Sequence, residues 1–109
     1  MTGELPVGTK TEIAARIREI ARRFGVTELY VFGSAARDDL NPDSDIDMVY
    51  SCLQPRSFQD IQNLKQELTA SLGRKVDLLN KETLLLNART SEASRIFLNA
   101  IAEDLVRII

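Results

Sequence analysis

The stretch that most constrains this chain is Asp45 to Tyr50, DIDMVY, in which acidic and apolar residues alternate. A period of two predicts a β-strand, because successive side chains on a strand point to opposite faces. On such a strand Asp45 and Asp47 share one face, about 6–7 Å apart along the backbone, while Ile46 and Met48 turn into the core. Two carboxylates on one face of an otherwise apolar strand repel each other, and burying them unpaired is costly. The chain contains no His, and little Lys or Arg stands beside these acids in the sequence. A divalent cation is the natural compensation, and hard oxygen donors suit Mg²⁺.

Upstream, the apolar run Leu29-Tyr30-Val31-Phe32 predicts a short buried strand that breaks at Gly33-Ser34. Glycine lets backbone approach a phosphate without a Cβ in the way. Amides at a helix start bind anions, and a Ser34 hydroxyl adds a donor. Taken alone, the pair reads more readily as a plain strand-to-helix turn with Ser34 as N-cap. Asn41-Pro42-Asp43-Ser44 is turn chemistry that delivers the chain into the acidic strand.

The flanking segments supply helices. Residues 1–8 carry Gly and Pro without periodicity and are expected to form a flexible tail, leaving 9–109 as one domain. Thr9-x-x-Glu12 is a capping-box pattern. Ile13, Ile17, Ile20, Ala21 and Phe24 then form one helical face, with Arg16, Arg22 and Arg23 on solvated faces and Gly25 as the stop. Ser57-x-x-Asp60 opens a second helix whose stripe is Phe58, Ile61, Leu64, Leu68 and Leu72, ended by Gly73. Arg74 to Leu79 predicts a third strand, on which Asp77 lies opposite Val76 and Leu78. A short helix or turn is expected over 80–87. A last helix starts at Ser91, with Phe97, Ile101, Leu105 and Ile108 on one side and Ile96, Leu98 and Val106 widening the stripe. So broad a stripe in a short chain suggests surface left over for a partner.

Composition and absences narrow the chemistry. A chain of 109 residues can bury about two-thirds of the surface its unfolded form exposes. With 14 basic and 16 acidic residues its net charge of −2 argues against direct nucleic-acid binding. No apolar run is long enough to span a membrane and no secretory leader is legible, so a cytoplasmic location is expected. The lone Cys52 rules out an internal disulfide and a Cys-rich zinc site. Without His there is no Ser-His-Asp triad, no Cys-His pair and no H-E-x-x-H site. Neither a Walker-type phosphate loop nor G-x-G-x-x-G is present. Carboxylates and metal remain.

Gly33-Ser34, ten residues, then Asp45-x-Asp47 resembles the G-S-x10-D-x-D signature of the minimal nucleotidyltransferases of the DNA polymerase beta superfamily. The resemblance implies an α/β (α+β) fold, a small mixed β-sheet flanked by helices. It implies two Mg²⁺ ions held by Asp45, Asp47 and a third carboxylate, for which the V-D-hydrophobic run nominates Asp77. Gly33 and Ser34 would hold the β- and γ-phosphates of ATP, and Arg37 would support the triphosphate or the acids. Asp38 stands where many relatives carry Gly, a departure that bears on the loop and on triphosphate binding. Stand-alone members of the family commonly serve as antitoxins, transferring AMP from ATP to a tyrosine hydroxyl of a helical HEPN-type ribonuclease toxin. Two other readings stay open: an antitoxin that neutralises its partner by contact alone, and a free-standing nucleotidyltransferase acting on a small molecule or RNA. Homo- or hetero-oligomerisation is compatible with each.

Overall fold

A computed structural model describes residues 10–33 and 45–109. The elements run α1 (Lys10–Arg23), β1 (Val26–Phe32), β2 (Ile46–Cys52), α2 (Phe58–Leu72), β3 (Val76–Asn80), α3 (Lys81–Thr90), α4 (Glu92–Ala102) and β4 (Val106–Arg107). The strands form one mixed sheet in the order β3-β2-β1-β4, with β2 and β3 parallel and the other pairs antiparallel. This is the α/β class with a mixed sheet that the sequence led us to expect. Among the described residues no helix is long and apolar enough to cross a membrane.

Strand alternation divides the core in two. On one face Leu29, Val31, Ile46, Met48, Tyr50 and Val76 meet Ile17, Ile20 and Ala21 of α1 and Leu64, Leu68 and Leu72 of α2. A register shift between Val26 and Glu28 lets Val26 join the same core despite its odd spacing from Leu29. On the other face Phe32 and Val49, with Tyr30 and Leu79 at the margin, lie under Leu84 of α3 and Leu98 and Ile101 of α4. Burying both faces requires apolar residues at both parities, which is why β2 is buried from Met48 through Ser51.

Local sequence fixes the helix ends. The Ser57 hydroxyl accepts from the Asp60 amide at 3.1 Å, and Gly73, at φ +68°, donates to the Thr69 carbonyl at 2.9 Å. Asn80 caps α3 through the Thr83 amide at 2.9 Å, and Ser91 caps α4 through the Ser94 amide at 3.1 Å. Two arginines of α1 tie it to α2: Arg16 donates to the Ser71 carbonyl at 3.0 Å and Arg23 to Glu67 at 3.3 Å.

Two expectations need correction. The last helix ends at Ala102, so Leu105, Val106 and Ile108 do not extend its stripe. Val106 and Arg107 instead pair with Val31 and Tyr30, and the Ile108 amide donates to the Leu29 carbonyl at 2.7 Å. The reason is tertiary: β1 would otherwise present an unpaired edge, and the β-branched tail supplies its partner. Phe58 is likewise 78% exposed, not packed, because it occupies the first turn of α2 outside the core cluster.

A polar latch joins α3 to β1. The Lys81 ammonium and the Tyr30 hydroxyl both donate to Glu28 Oε1 at 2.8 Å, and the Arg107 guanidinium lies 5.6 Å from the Tyr30 ring centroid. The hydrogen bond from Lys81, then that from Tyr30, holds the Glu28 carboxyl below its ordinary value of 4.5. The latch therefore contributes fully above that value and is lost as pH falls through the lower, folded one. Glu28 in turn holds Lys81 above its ordinary 10.5, so the contribution fades again as pH rises through that raised value. Replacing Glu28→Gln should cost about 1 kcal/mol at neutral pH. Denaturant unfolding at pH 7 and pH 3 should show a larger wild-type advantage at the first pH than at the second.

Candidate active site

Register, more than any single residue, builds the site. Phe32 of β1 pairs with Asp47 of β2, and Asp47 pairs with Asp77 of β3. Neighbouring strands lie about 4.8 Å apart, so in-register residues present their side chains side by side on one face. That face is the one covered by α3 and α4. Their apolar side chains rest on Phe32 and on the next row along, Tyr30, Val49 and Leu79. The row Phe32-Asp47-Asp77 is left beside a cavity of about 370 Å³. The sheet lines it with Phe32, Asp47, Asp77, Leu78 and Leu79, α2 with Ile61, Gln62 and Lys65, and α4 with Phe97. Since α2 covers one sheet face and α4 the other, the cavity wraps the edge of β3.

Asp45 lies one residue before β2. Its charge reaches Asp47: burial, then the carboxylate of Asp77, then that of Asp45 push the Asp47 carboxyl above its ordinary value of 3.8. Compensation from the protein is slight. Lys65, the one basic residue lining the cavity among the described residues, stands 3.9 Å from Asp77 Oδ1, with both side chains more than a third exposed. Gly33 closes the other side of Asp47. It adopts φ +73°, and a Cβ built there would meet Asp47 Oδ2 at 3.2 Å, so a side chain at this position would be both strained and crowded.

Asp47 is thus flanked by Asp77 across the strand pair and by Gly33 at the end of β1, and Asp45 lies near enough for its charge to reach Asp47. Ser34 and Arg37 lie outside the described residues, as do Asp38, the turn at 41–44 and Thr9. Phe97, Lys65 and Gln62 were missed. Phe97 reads from sequence as part of a core stripe, yet it is 42% exposed and meets Phe32 edge-on, with ring centroids 6.5 Å apart at 83°. Lys65 could have been found from its spacing, since it follows Ile61 by four and so shares its helix face.

The donors present are hard oxygens under mutual repulsion in a partly desolvated setting, and this fits Mg²⁺. Among the described residues no three side chains are closed around a single point as a ready-made cage.

Residues 15–100 match the family described as Polymerase beta, Nucleotidyltransferase. The chain is 38% identical over 72 residues to Protein adenylyltransferase MntA of Thermococcus cleftensis, covering 66% of this chain and 73% of that relative. Its fold is similar to a chain of a toxin–antitoxin solved with AMP-PNP (TM-score 0.67, 19% identity, 88% of this chain and 72% of the other). It is also similar to a chain of the tri-AMPylated Shewanella oneidensis HEPN toxin in complex with MNT antitoxin (TM-score 0.64, 17% identity, 93% of this chain and 72% of the other). With its strand register, its carboxylate row and these similarities, the chain belongs to the polymerase beta nucleotidyltransferase family.

Proposed function

We propose that this protein transfers AMP from ATP to a tyrosine hydroxyl of a helical HEPN-type toxin, and so acts as the antitoxin of a two-protein module. The observation that carries the reading is the in-register pair Asp47–Asp77 on the face beside Gly33 and open to the cavity. Similarity to a protein adenylyltransferase supports a protein acceptor. The shared fold with chains solved beside AMP-PNP and in complex with an AMPylated HEPN toxin supports ATP and a toxin partner.

In this reading the acceptor oxygen forms a bond to the α-phosphorus as the bond from that phosphorus to the bridging oxygen breaks. Pyrophosphate leaves, and the hydroxyl proton passes to Asp77. Gly33 leaves backbone exposed at the end of β1, where with Ser34 it holds the β- and γ-phosphates. Arg37 supports the triphosphate charge. Asp45, Asp47 and Asp77 are the side chains that would hold Mg²⁺. Two such ions, when bound, offset the charge developing on pyrophosphate and lower the pKa of the acceptor hydroxyl. The chain's own part is largely positioning: Asp47 and Asp77 sit on strands whose register fixes their separation.

Incubating the protein with labelled ATP, Mg²⁺ and its co-encoded helical partner should label the partner on tyrosine; a partner that stays unlabelled would contradict the proposal. Asp47→Asn should lower the transfer rate by about a thousandfold or more, and a variant as fast as wild type with the same metal dependence removes Asp47 from the machinery. The same substitution should have the opposite sign on stability. Because the folded Asp47 carboxyl lies above its ordinary value, the folded state loses stability as pH rises through that window, and the deficit is complete at neutrality. With chelator present at pH 7, Asp47→Asn should therefore melt higher than wild type. Mg²⁺ with ATP should raise the melting temperature of wild type more than that of the variant.

A further inference from the structure

We propose that the cavity between α2, the edge of β3 and Phe97 is the acceptor subsite, shaped for a phenolic side chain of the partner protein, and that Phe97 selects an aromatic over an aliphatic hydroxyl. The inference rests on the transfer reading above and deepens it by assigning the second substrate a place and a specificity residue.

Position is the first argument. The glycine expected to hold phosphates follows β1, whereas Asp77 lies two strands away on β3. Of the nine lining residues, six belong to α2 and β3. A nucleotide anchored at the end of β1 leaves this side to another molecule. In the sheet order β3 is terminal, so a side chain projecting from a large partner can enter over it without passing through the fold.

The lining gives the chemistry. Phe32, Phe97, Ile61, Leu78 and Leu79 form apolar walls, while Asp47, Asp77, Gln62 and Lys65 supply polar and charged atoms. Apolar walls with a few convergent polar groups suit a flat apolar body carrying one polar atom. A phenol places its oxygen a full ring beyond its Cβ, so it reaches the carboxylates while the partner backbone stays at the rim. A serine or threonine hydroxyl, one bond from Cβ, would have to bring backbone into the cavity, where its amides would go unpaired.

Phe97 is the residue whose packing this explains. Phe32, its edge-on partner, is 8% exposed and belongs to the core, but Phe97 is 42% exposed at the cavity wall. An aromatic acceptor would cover that surface and add a third ring to an existing pair, an arrangement worth about 0.5–1.5 kcal/mol beyond area alone.

The test has two arms. In the first, Ile and Leu methyl groups of the full-length protein are followed by NMR during titration with N-acetyl-tyrosinamide and, separately, N-acetyl-serinamide. The tyrosine compound should shift the Ile61 and Leu79 methyls saturably and the serine compound should not. Phe97→Leu should weaken the tyrosine response about fivefold, and Phe97→Tyr should restore it. Equal responses to the two compounds, or shifts confined elsewhere, overturn the proposal. So does displacement of the tyrosine compound by adenosine, which would make the cavity a base site. In the second arm, Phe97→Leu should raise KM for the protein acceptor about fivefold or more and leave KM for ATP unchanged; the reverse split overturns the assignment. If wild type labels no partner, the transfer reading fails on its own, while the methyl titration still judges the cavity. Half-exposed Phe97 can be changed without emptying the core, and a melting curve of each variant verifies folding.

Discussion

The structure depends on one unfavourable pairing, Asp47 beside Asp77 on parallel strands in register. Like charges directly across a sheet are destabilising, and here they are also partly withdrawn from water. Nothing in the local packing demands acids at these two positions. The neighbouring rows show what ordinary folding would place there, since Val49 pairs with Leu79 and Ile46 with Val76. The carboxylates interrupt an otherwise apolar pattern at one level of the sheet, where α4 reaches Phe32 and a cavity adjoins both acids.

The remainder of the fold holds that pair in place. One sheet face is given over to α1 and α2, whose buried leucines and isoleucines form the larger core cluster. The other is shared between a smaller core under α3 and α4 and the acidic row. Because α3 starts directly after β3, its cap at Asn80 and its latch to Glu28 fix where the helix pair begins. The position of α4, and with it Phe97, follows. Gly33 completes the arrangement, since its missing Cβ is the space against which the Asp47 carboxylate rests.

Much of this was legible in the sequence where the signal is local. Alternation marked β2 and the face of Asp47, helical spacing marked α1 and α2, and Ser57 and Gly73 marked the ends of α2. Alternation also set Asp77 opposite Val76 and Leu78, but its alignment with Asp47 is a matter of register between residues thirty positions apart, which the family resemblance supplied. What could not be read was non-local in the same sense. Residues 105–109 fit a helical stripe as well as a strand, and only the open edge of β1 decides between them. Phe58 and Phe97 fit apolar stripes too, yet one projects beyond the core and the other lines a cavity, outcomes set by where the helices end relative to the sheet.

The most direct test of the central claim, that the acids form one electrostatic unit, is a site-resolved carboxyl titration of Asp47 by ¹³C NMR in metal-free protein, for wild type and for Asp77→Asn. Asp47 should titrate above 3.8 in wild type and move down towards that value when Asp77 loses its charge, with the part due to burial remaining. An Asp47 that titrates identically in both proteins would mean the two carboxylates do not sense each other, and the site as described would not exist.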